Sequence, residues 1–196
     1  SLHHLLMYGG GTAAIEKYLE YHPKERATTS ISGTVLVEST VTNLKDGNPG
    51  KQYMKQAIEK QMDIVAISKG ALVTNWREIN EAARGVNVRI RYSGATAAAL
   101  PTLDIGQFSL AGCSIEKIEG ILNGTTNYIL TKMYEEDMTF EEALKEAQNK
   151  GIAETNPILD ISGSDSACKL LLLTNSLMET EKTLTDIHIK GIEHVT

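Results

Sequence analysis

The chain has 196 residues and a formal net charge of −6. This acidic balance leaves no excess of Lys and Arg to neutralise phosphates, which argues against nucleic-acid binding. No run approaches the roughly 20 apolar residues of a membrane-spanning helix, and residues 1–7 lack the pattern of a secretory signal. The two cysteines, Cys113 and Cys168, are far apart, as expected of free thiols in a reducing cytoplasm. We therefore expect a soluble, cytoplasmic protein.

Two short apolar runs in the first half predict a βαβ unit. TVLVEST at 34–40 and DIVAISKG at 63–70 are typical of strands that are buried on both faces. Asn48 and Pro49 are expected to begin the helix between them, which continues through Gln61. Strand, helix and strand at this spacing predict a parallel sheet.

The next helix is predicted from Asn75, which has capping-box spacing to Glu78, and the strand NVRIRYSG follows at 87–94. SIEKIEGI at 114–121 alternates isoleucines imperfectly with charged residues between them, which predicts a half-exposed strand of a different sheet. We expect an α/β fold, with a partial doubly wound, Rossmann-like sheet in residues 1–74. An α+β catalytic domain with a mixed sheet is expected in residues 75–196.

Two further helices in the second half carry start signals. Thr139 has capping-box spacing to Glu142, and Ser162 has the same spacing to Asp165. The second of these helices continues into the apolar run ACKLLLL, so we expect it to be buried.

A glycine-rich stretch near the start is a weaker signal. GGGTAA at 9–14 formally fits the dinucleotide pattern G-x-G-x-x-A, but the pattern requires a buried strand immediately before it. SLHHLLM is short and carries two histidines. A loop before a helix over Thr12–Tyr21 is the better interpretation.

The segment between Gly151 and Leu173 carries the side chains best suited to acid–base chemistry. A turn-rich loop brings Glu154, Asp160 and Asp165 together, and Asp165 and Lys169 are four residues apart on one helix face. One interpretation is a solvated ion pair, which contributes about 0.3–0.5 kcal/mol. The leucines that follow favour another, in which Lys169 projects from a buried helix beside a carboxylate and exchanges a proton near neutral pH.

Two other features suggest a ligand site. Lys69 ends the strand at 63–70, and open parallel sheets bind ligands at the carboxyl ends of their strands, although a surface lysine is an equal alternative. GILNGTTNYIL at 120–130 places amide, hydroxyl and backbone donors at one strand-to-helix turn.

Five stretches together resemble the homoserine dehydrogenase family: ISKG, YSGATAAALPT, GILNGTTNYILTKM, AQNKGIAETNP and LDISGSDSACKL. The resemblance implies an oxidoreductase that interconverts L-homoserine and L-aspartate 4-semialdehyde with NADP or NAD, a step in threonine and methionine biosynthesis. It also implies a homodimer.

The resemblance further implies roles for individual residues. Lys169 would give or take the proton at the substrate oxygen, and Lys69 would lie between substrate and nicotinamide. The implied substrate-binding residues are Glu154, Asp165, Asp160, Gly124 and Thr125. The implied cofactor-binding residues are Ser39, Thr40, Lys69 and Gly151. Backbone carbonyls that would bind a monovalent cation, Na⁺ or K⁺, are those of Ser93, Thr96, Ala98 and Leu100.

The sequence also departs from the family pattern. Ile152 stands where an aromatic residue is common, Asn156 replaces an aspartate, and the glycine-rich first strand and turn have no counterpart. We therefore expect a catalytic domain with a partial nucleotide-binding domain, weak or inactive as the 196-residue chain alone. Two alternatives stay open: a non-catalytic amino-acid-binding or assembly module, and a related NAD(P) dehydrogenase for another small substrate.

Overall fold

The computed structural model describes residues 34–195, and the predicted helix at 12–21 and the GGGTAA stretch lie outside them. Three parallel strands, in the order β1-β2-β3, form the sheet. They are β1 Val35–Glu38, β2 Asp63–Ala66 and β3 Ile90–Arg91, joined by helices α1 Gly50–Glu59 and α2 Gly70–Gly85. The register pairs Val35 with Asp63 and Ile64 with Ile90. The predicted α/β class and βαβ unit are confirmed.

Short and long helices make up the rest of the described chain. They are α3 Ser93–Ala97, α4 Thr102–Asp104, which runs into a π-helical turn at Ile105–Ser109, α5 Gly124–Glu136, α6 Phe140–Asn149, α7 Ile158–Ile161, α8 Ser164–Leu177 and a 3-10 turn at Leu184–Asp186. Helix α8 packs against both α2 and α3. Within residues 34–195, no helix has the length and apolar character needed to span a bilayer.

The sheet has its core on one face. Ile64 and Ala66 of β2 are fully buried, whereas Val35 and Val37 of β1 are 48% and 61% exposed. Successive side chains of a strand point to opposite faces, so burial on both faces requires packing on both. The prediction of two-sided burial was therefore wrong for β1, and it was also wrong for β2, because Val65 is 37% exposed.

Helix α2 is kinked at Asn75, so that its second part starts at the residue from which a helix was predicted and its first part precedes that residue. It starts at Gly70, and Asn75 lies inside it with non-helical φ −140° and ψ 36°. The Asn75 amide donates to Thr74 Oγ1 at 2.6 Å, and the Glu78 carboxylate pairs with Lys51 at 2.9 Å. These partners replace the predicted Asn75–Glu78 capping box. The division of the chain into residues 1–74 and 75–196 stays a prediction.

The segment at 114–121 is not a strand in the part of the chain that the structure describes. Most of its side chains are exposed, and Ile121 is 76% exposed. A strand needs a neighbouring edge for its backbone N–H and C=O groups, and β1, β2 and β3 pair only with one another. The second, mixed sheet predicted from this segment stays a prediction.

Helices α5 and α6 pack around a second small core. Ile129 of α5 and Ala143 and Ala147 of α6 are fully buried there. The predicted capping box of α6 is confirmed, because the Thr139 hydroxyl accepts from the Glu142 backbone N–H and the Glu142 carboxylate accepts from the Thr139 N–H. Local signals therefore suffice to begin this helix.

A buried carboxylate ties together the loops that follow β1 and β2. Glu38 is only 2% exposed. It accepts hydrogen bonds from the Thr40 backbone N–H at 2.8 Å and from the Ser68 hydroxyl at 2.6 Å. Removal of this acceptor would leave buried donors without partners, which costs free energy.

We therefore expect Glu38→Ala to lower the free energy of unfolding by about 1–3 kcal/mol, the cost of unsatisfied buried polar groups. Urea denaturation of the full-length protein would measure it. The matched control is Glu59→Ala at the exposed end of α1, which should change stability by less than about 0.5 kcal/mol. Equal effects of the two substitutions would contradict a structural role for the Glu38 carboxylate.

Candidate functional site

The first turn of α8 places one carboxylate at the centre of the site. Gly163 precedes the helix with φ +80°, and the Ser162 hydroxyl pairs with that of Ser164. The predicted capping box between Ser162 and Asp165 is therefore wrong. Asp165 instead contacts Lys169 of the same helix and Lys69 from the connection after β2, because charged partners bind a carboxylate more strongly than a backbone N–H does.

Lys169 lies one turn further along α8 on the same face as Asp165. Its Nζ is 2.6 Å from Asp165 Oδ2 and donates to the Leu122 carbonyl oxygen at 2.8 Å. Its side chain is only 20% exposed, and Leu171 and Leu172 of the following turn are buried. The pair is thus not a solvated surface ion pair. An ammonium group has three donors, so one N–H remains for a ligand oxygen.

Lys69 reaches the same carboxylate from the sheet. It follows β2 and precedes α2, and its Nζ is 3.1 Å from Asp165 Oδ1. Each oxygen of Asp165 therefore faces one lysine. The hydroxyl of Ser68, next to Lys69, is held by the buried Glu38, which fixes the backbone from which Lys69 extends.

Asn123 also belongs to this cluster and was not among the predicted site residues. It is 6% exposed, and its Nδ2 donates to Asp160 Oδ1 at 2.6 Å and to Asp165 Oδ2 at 3.0 Å. Its Oδ1 accepts from the Thr126 backbone N–H at 2.8 Å and caps helix α5. The sequence signals only the cap, since the two carboxylates are distant along the chain.

The surroundings shift two titrating groups of the cluster. Burial raises the pKa of Asp165, but hydrogen bonds from Lys169 and Asn123 and the charge of Lys69 outweigh it, so this pKa lies below its ordinary value. Burial raises the pKa of the neighbouring Cys168 thiol to about 11. Asp165 is therefore ionised at neutral pH, and Cys168 is a protonated thiol without nucleophilic character.

A cavity of about 300 Å³ opens beside the lysine–carboxylate cluster. Its lining combines charged side chains with apolar ones: Val41, Thr42, Leu44, Lys69, Glu154, Asn156, Leu159, Asp160, Asp165 and Cys168. Three carboxylates face one lysine in this lining, which favours a ligand with a positive group. The volume is at the lower end of the range for small-molecule sites.

The remaining predicted substrate and cofactor residues lie next to this lining. Gly124 begins α5 beside Asn123, and the buried Thr125 hydroxyl donates to the Ile152 carbonyl oxygen at 3.1 Å. Ser39 and Thr40 directly precede Val41, and Gly151 ends the α6 turn with φ +69°. The structure thus places Lys69 and the three carboxylates in one cavity lining and brings Lys169 into contact with Asp165, while the other predicted residues are not part of that lining.

The predicted cation-binding loop is a short helix followed by a turn. Ala98 has φ +52°, the Ser93 carbonyl oxygen accepts from the Thr96 hydroxyl at 2.9 Å, and the Leu100 carbonyl oxygen accepts from the Thr102 N–H at 2.9 Å. A carbonyl oxygen keeps a second lone pair. No cluster of three or more His, Cys, Asp or Glu side chains between residues 34 and 195 could hold a metal ion. The cation site, which uses carbonyls, stays a prediction.

Known proteins with similar sequences and folds are homoserine dehydrogenases. The family model described as homoserine dehydrogenase matches residues 101–196. The homoserine dehydrogenase of Methanocaldococcus jannaschii is 41% identical over 186 residues, which cover 92% of this chain and 55% of that protein. An NAD(+)-dependent homoserine dehydrogenase of Pseudomonas canavaninivorans is 37% identical, with 81% of this chain and 45% of that protein covered.

Solved structures give the same result. The crystal structure of a putative homoserine dehydrogenase from Archaeoglobus fulgidus superposes with a TM-score of 0.78 at 30% identity. The match covers 95% of this chain and 59% of that one. The chain therefore spans about half the length of the curated relatives that it matches.

The lowered pKa of Asp165 makes a prediction about stability and pH. A carboxyl whose pKa falls on folding stabilises the folded protein at pH values above its ordinary pKa of 3.8. This stabilisation is lost as the pH falls through the lower pKa of the folded state. Asp165→Asn should therefore lower the free energy of unfolding by about 1–3 kcal/mol near neutral pH, and the difference should shrink below about pH 4. Denaturation of the full-length protein across this pH range measures it.

Asp137→Asn is the control, because Asp137 is exposed and its left-handed conformation suits asparagine equally well. A difference for Asp165→Asn that does not depend on pH would show that the lysine pairing does not stabilise the fold.

Proposed function

Because this chain belongs to the homoserine dehydrogenase family, we propose that the full-length protein interconverts L-homoserine and L-aspartate 4-semialdehyde with a nicotinamide dinucleotide. The observation that carries the proposal is the contact of Lys69 and Lys169 with opposite oxygens of Asp165, beside a cavity of amino-acid size. The reaction is a step towards threonine and methionine.

The substrate ammonium group is held by Glu154 and Asp160. The two oxygens of Asp165 already face Lys69, Lys169 and Asn123, whereas Asp160 uses only one oxygen in the contact with Asn123. Glu154 lines the cavity, and the Gln148 amide donates to its backbone carbonyl at 3.2 Å. Asp165 therefore acts on the substrate mainly through the lysines that it orients.

Lys169 moves the proton at the substrate oxygen. In the reductive direction its ammonium group donates a proton to the carbonyl oxygen as that oxygen gains negative charge. In the oxidative direction the neutral amine takes the proton of the hydroxyl. Asp165 and the Leu122 carbonyl oxygen orient two of the three N–H bonds, so the third is directed by geometry rather than by free rotation.

The carboxyl ends of β1 and β2 form the cofactor side of the site. When bound there, NADP or NAD supplies the hydride acceptor or donor for the terminal carbon of the substrate. Ser39, Thr40 and Lys69 lie at these strand ends, where open α/β sheets bind ligands, and Glu38 fixes both connections. Gly151 offers a backbone without a side chain to the same ligand. These residues would hold the dinucleotide, with Lys69 between its nicotinamide and the substrate.

Further properties of the family complete the proposal. The carbonyl oxygens of Ser93, Thr96, Ala98 and Leu100 bind a structural Na⁺ or K⁺ ion. The protein acts in the cytoplasm as a homodimer, in which the exposed segment 114–121 finds a partner edge.

The sharpest test of the mechanism is Lys169→Ala in the full-length protein. We expect kcat to fall by about 10²–10⁴-fold, the usual contribution of a general acid or base, with little change in KM. Steady-state kinetics with L-homoserine measures both constants. Lys145→Ala on the exposed face of α6 is the matched control and should keep the parent rate. A parent-like rate for Lys169→Ala would end the assignment of the proton to this residue.

The binding role of Glu154 makes a separate prediction. Glu154→Gln should raise KM for L-homoserine by about 10–100-fold, because it removes a charge-assisted hydrogen bond worth about 1.5–3 kcal/mol. The control is Glu141→Gln at the exposed start of α6. Calorimetry distinguishes the non-catalytic alternative, since parent protein that binds L-homoserine without any turnover would be a binding module.

A further inference from the structure

We propose that Asn123 is a positioning residue that holds Asp160 and Asp165 in a fixed relation, so that one carboxylate orients the lysines and the other receives the substrate. This inference deepens the proposed function and rests on it. Its basis is the pair of hydrogen bonds from one buried amide to two carboxylates, at 2.6 Å and 3.0 Å.

The orientation of the amide is determined by its third contact. Asn123 Oδ1 accepts from the backbone N–H of Thr126 at 2.8 Å, and this N–H can only donate. The NH₂ end must therefore face the carboxylates, and its two N–H bonds match the two acceptors. An aspartate or a serine at this position would still cap α5, but neither could donate to both carboxylates.

Two carboxylates at one amide would otherwise repel each other. The Asn123 donor lies between Asp160 and Asp165 and compensates part of that repulsion in a partly buried site. Without it, we expect one carboxylate to turn away or to take up a proton. If that group is Asp165, both lysines lose their common partner.

The neighbouring residue couples the same turn to the proton-transferring lysine. The Leu122 carbonyl oxygen accepts from Lys169 Nζ at 2.8 Å, and the Asn123 backbone carbonyl accepts from the Asn127 N–H at 3.2 Å as α5 begins. Residues 122 and 123 thus hold Lys169 directly through the backbone and indirectly through Asp165. The residues at the start of α5 therefore help to position the Lys169 amine.

The test compares Asn123→Ser and Asn123→Asp in the full-length protein. Both variants retain a good N-cap, so helix α5 keeps its start signal. For Asn123→Ser we expect kcat/KM to fall by about 10–100-fold, as for loss of hydrogen bonds to charged groups. The acidic limb of the kcat/KM profile should move to higher pH, because Asn123 helps to keep the Asp165 carboxyl ionised. Asn123→Asp should move it further, since it adds a third carboxylate.

Thr139→Ala is the matched control, because it removes the N-cap of the neighbouring α6 without touching the carboxylates. It should lower the unfolding temperature and leave the acidic limb in place. An acidic limb that stays at the parent position in both Asn123 variants would overturn the inference and leave Asn123 as a cap only. If Asn123→Ser does not fold, the position of the acidic limb in Asn123→Asp alone tests the inference.

A second measurement separates this inference from the proposed function. Carbon NMR titration of the aspartate carboxyl groups in the full-length protein needs no turnover. The Asp165 signal should titrate at higher pH in Asn123→Ser than in the parent, because Asn123 helps to keep this carboxyl ionised, and unchanged titration of Asp165 would overturn the inference. Parent protein without dehydrogenase activity would refute the proposed function, while the shift would still establish the positioning role.

Discussion

The contact of one carboxylate with two ammonium groups organises this protein. Asp165 connects Lys69, which follows the second strand, with Lys169, which lies on helix α8 beside the buried Leu171 and Leu172. A half-buried carboxylate needs such partners to stay charged, and half-buried lysines need it in turn. The sheet and helix α8 are therefore joined by the same group that orients the Lys169 amine, to which we assign the proton transfer. The contact of Asp165 with the two lysines therefore contributes both to the stability of the fold and to the geometry of the candidate site.

A second buried carboxylate, that of Glu38, fixes the two loops at the carboxyl end of the sheet. Glu38 binds the loop after β1 and the loop after β2, and only polar donors face it in the hydrogen bonds that the structure describes. Its role differs from that of Asp165, because it fixes backbone segments rather than charged side chains. Together the two acidic residues define the edge at which an amino acid and a dinucleotide would meet. The fold thus concentrates its buried charge at the site.

Local sequence signals correctly predicted those elements whose formation depends on residues that are close along the chain. The βαβ unit follows from hydrophobic runs, and the α6 capping box follows from Thr139 and Glu142 alone. The same signal at Ser162 failed, because Lys69, which is distant in sequence, and Lys169, one turn further along the helix, bind Asp165 more strongly than the helix start does. The role of Asn123 could not be read for a similar reason, since its carboxylate partners lie 37 and 42 residues away. Departures from local rules coincide with the candidate site.

The two cysteines differ in a way that has a practical consequence. Thiol-directed reagents attack the thiolate and need access, and burial keeps Cys168 protonated in the wall of the cavity. Cys113 is exposed, in the irregular segment after the π-helical turn. A maleimide dye will therefore attach at Cys113 and spare Cys168. Among these 196 residues, Cys113 is thus the one accessible handle for fluorescence or spin labels, and its labelling leaves the cavity unmodified.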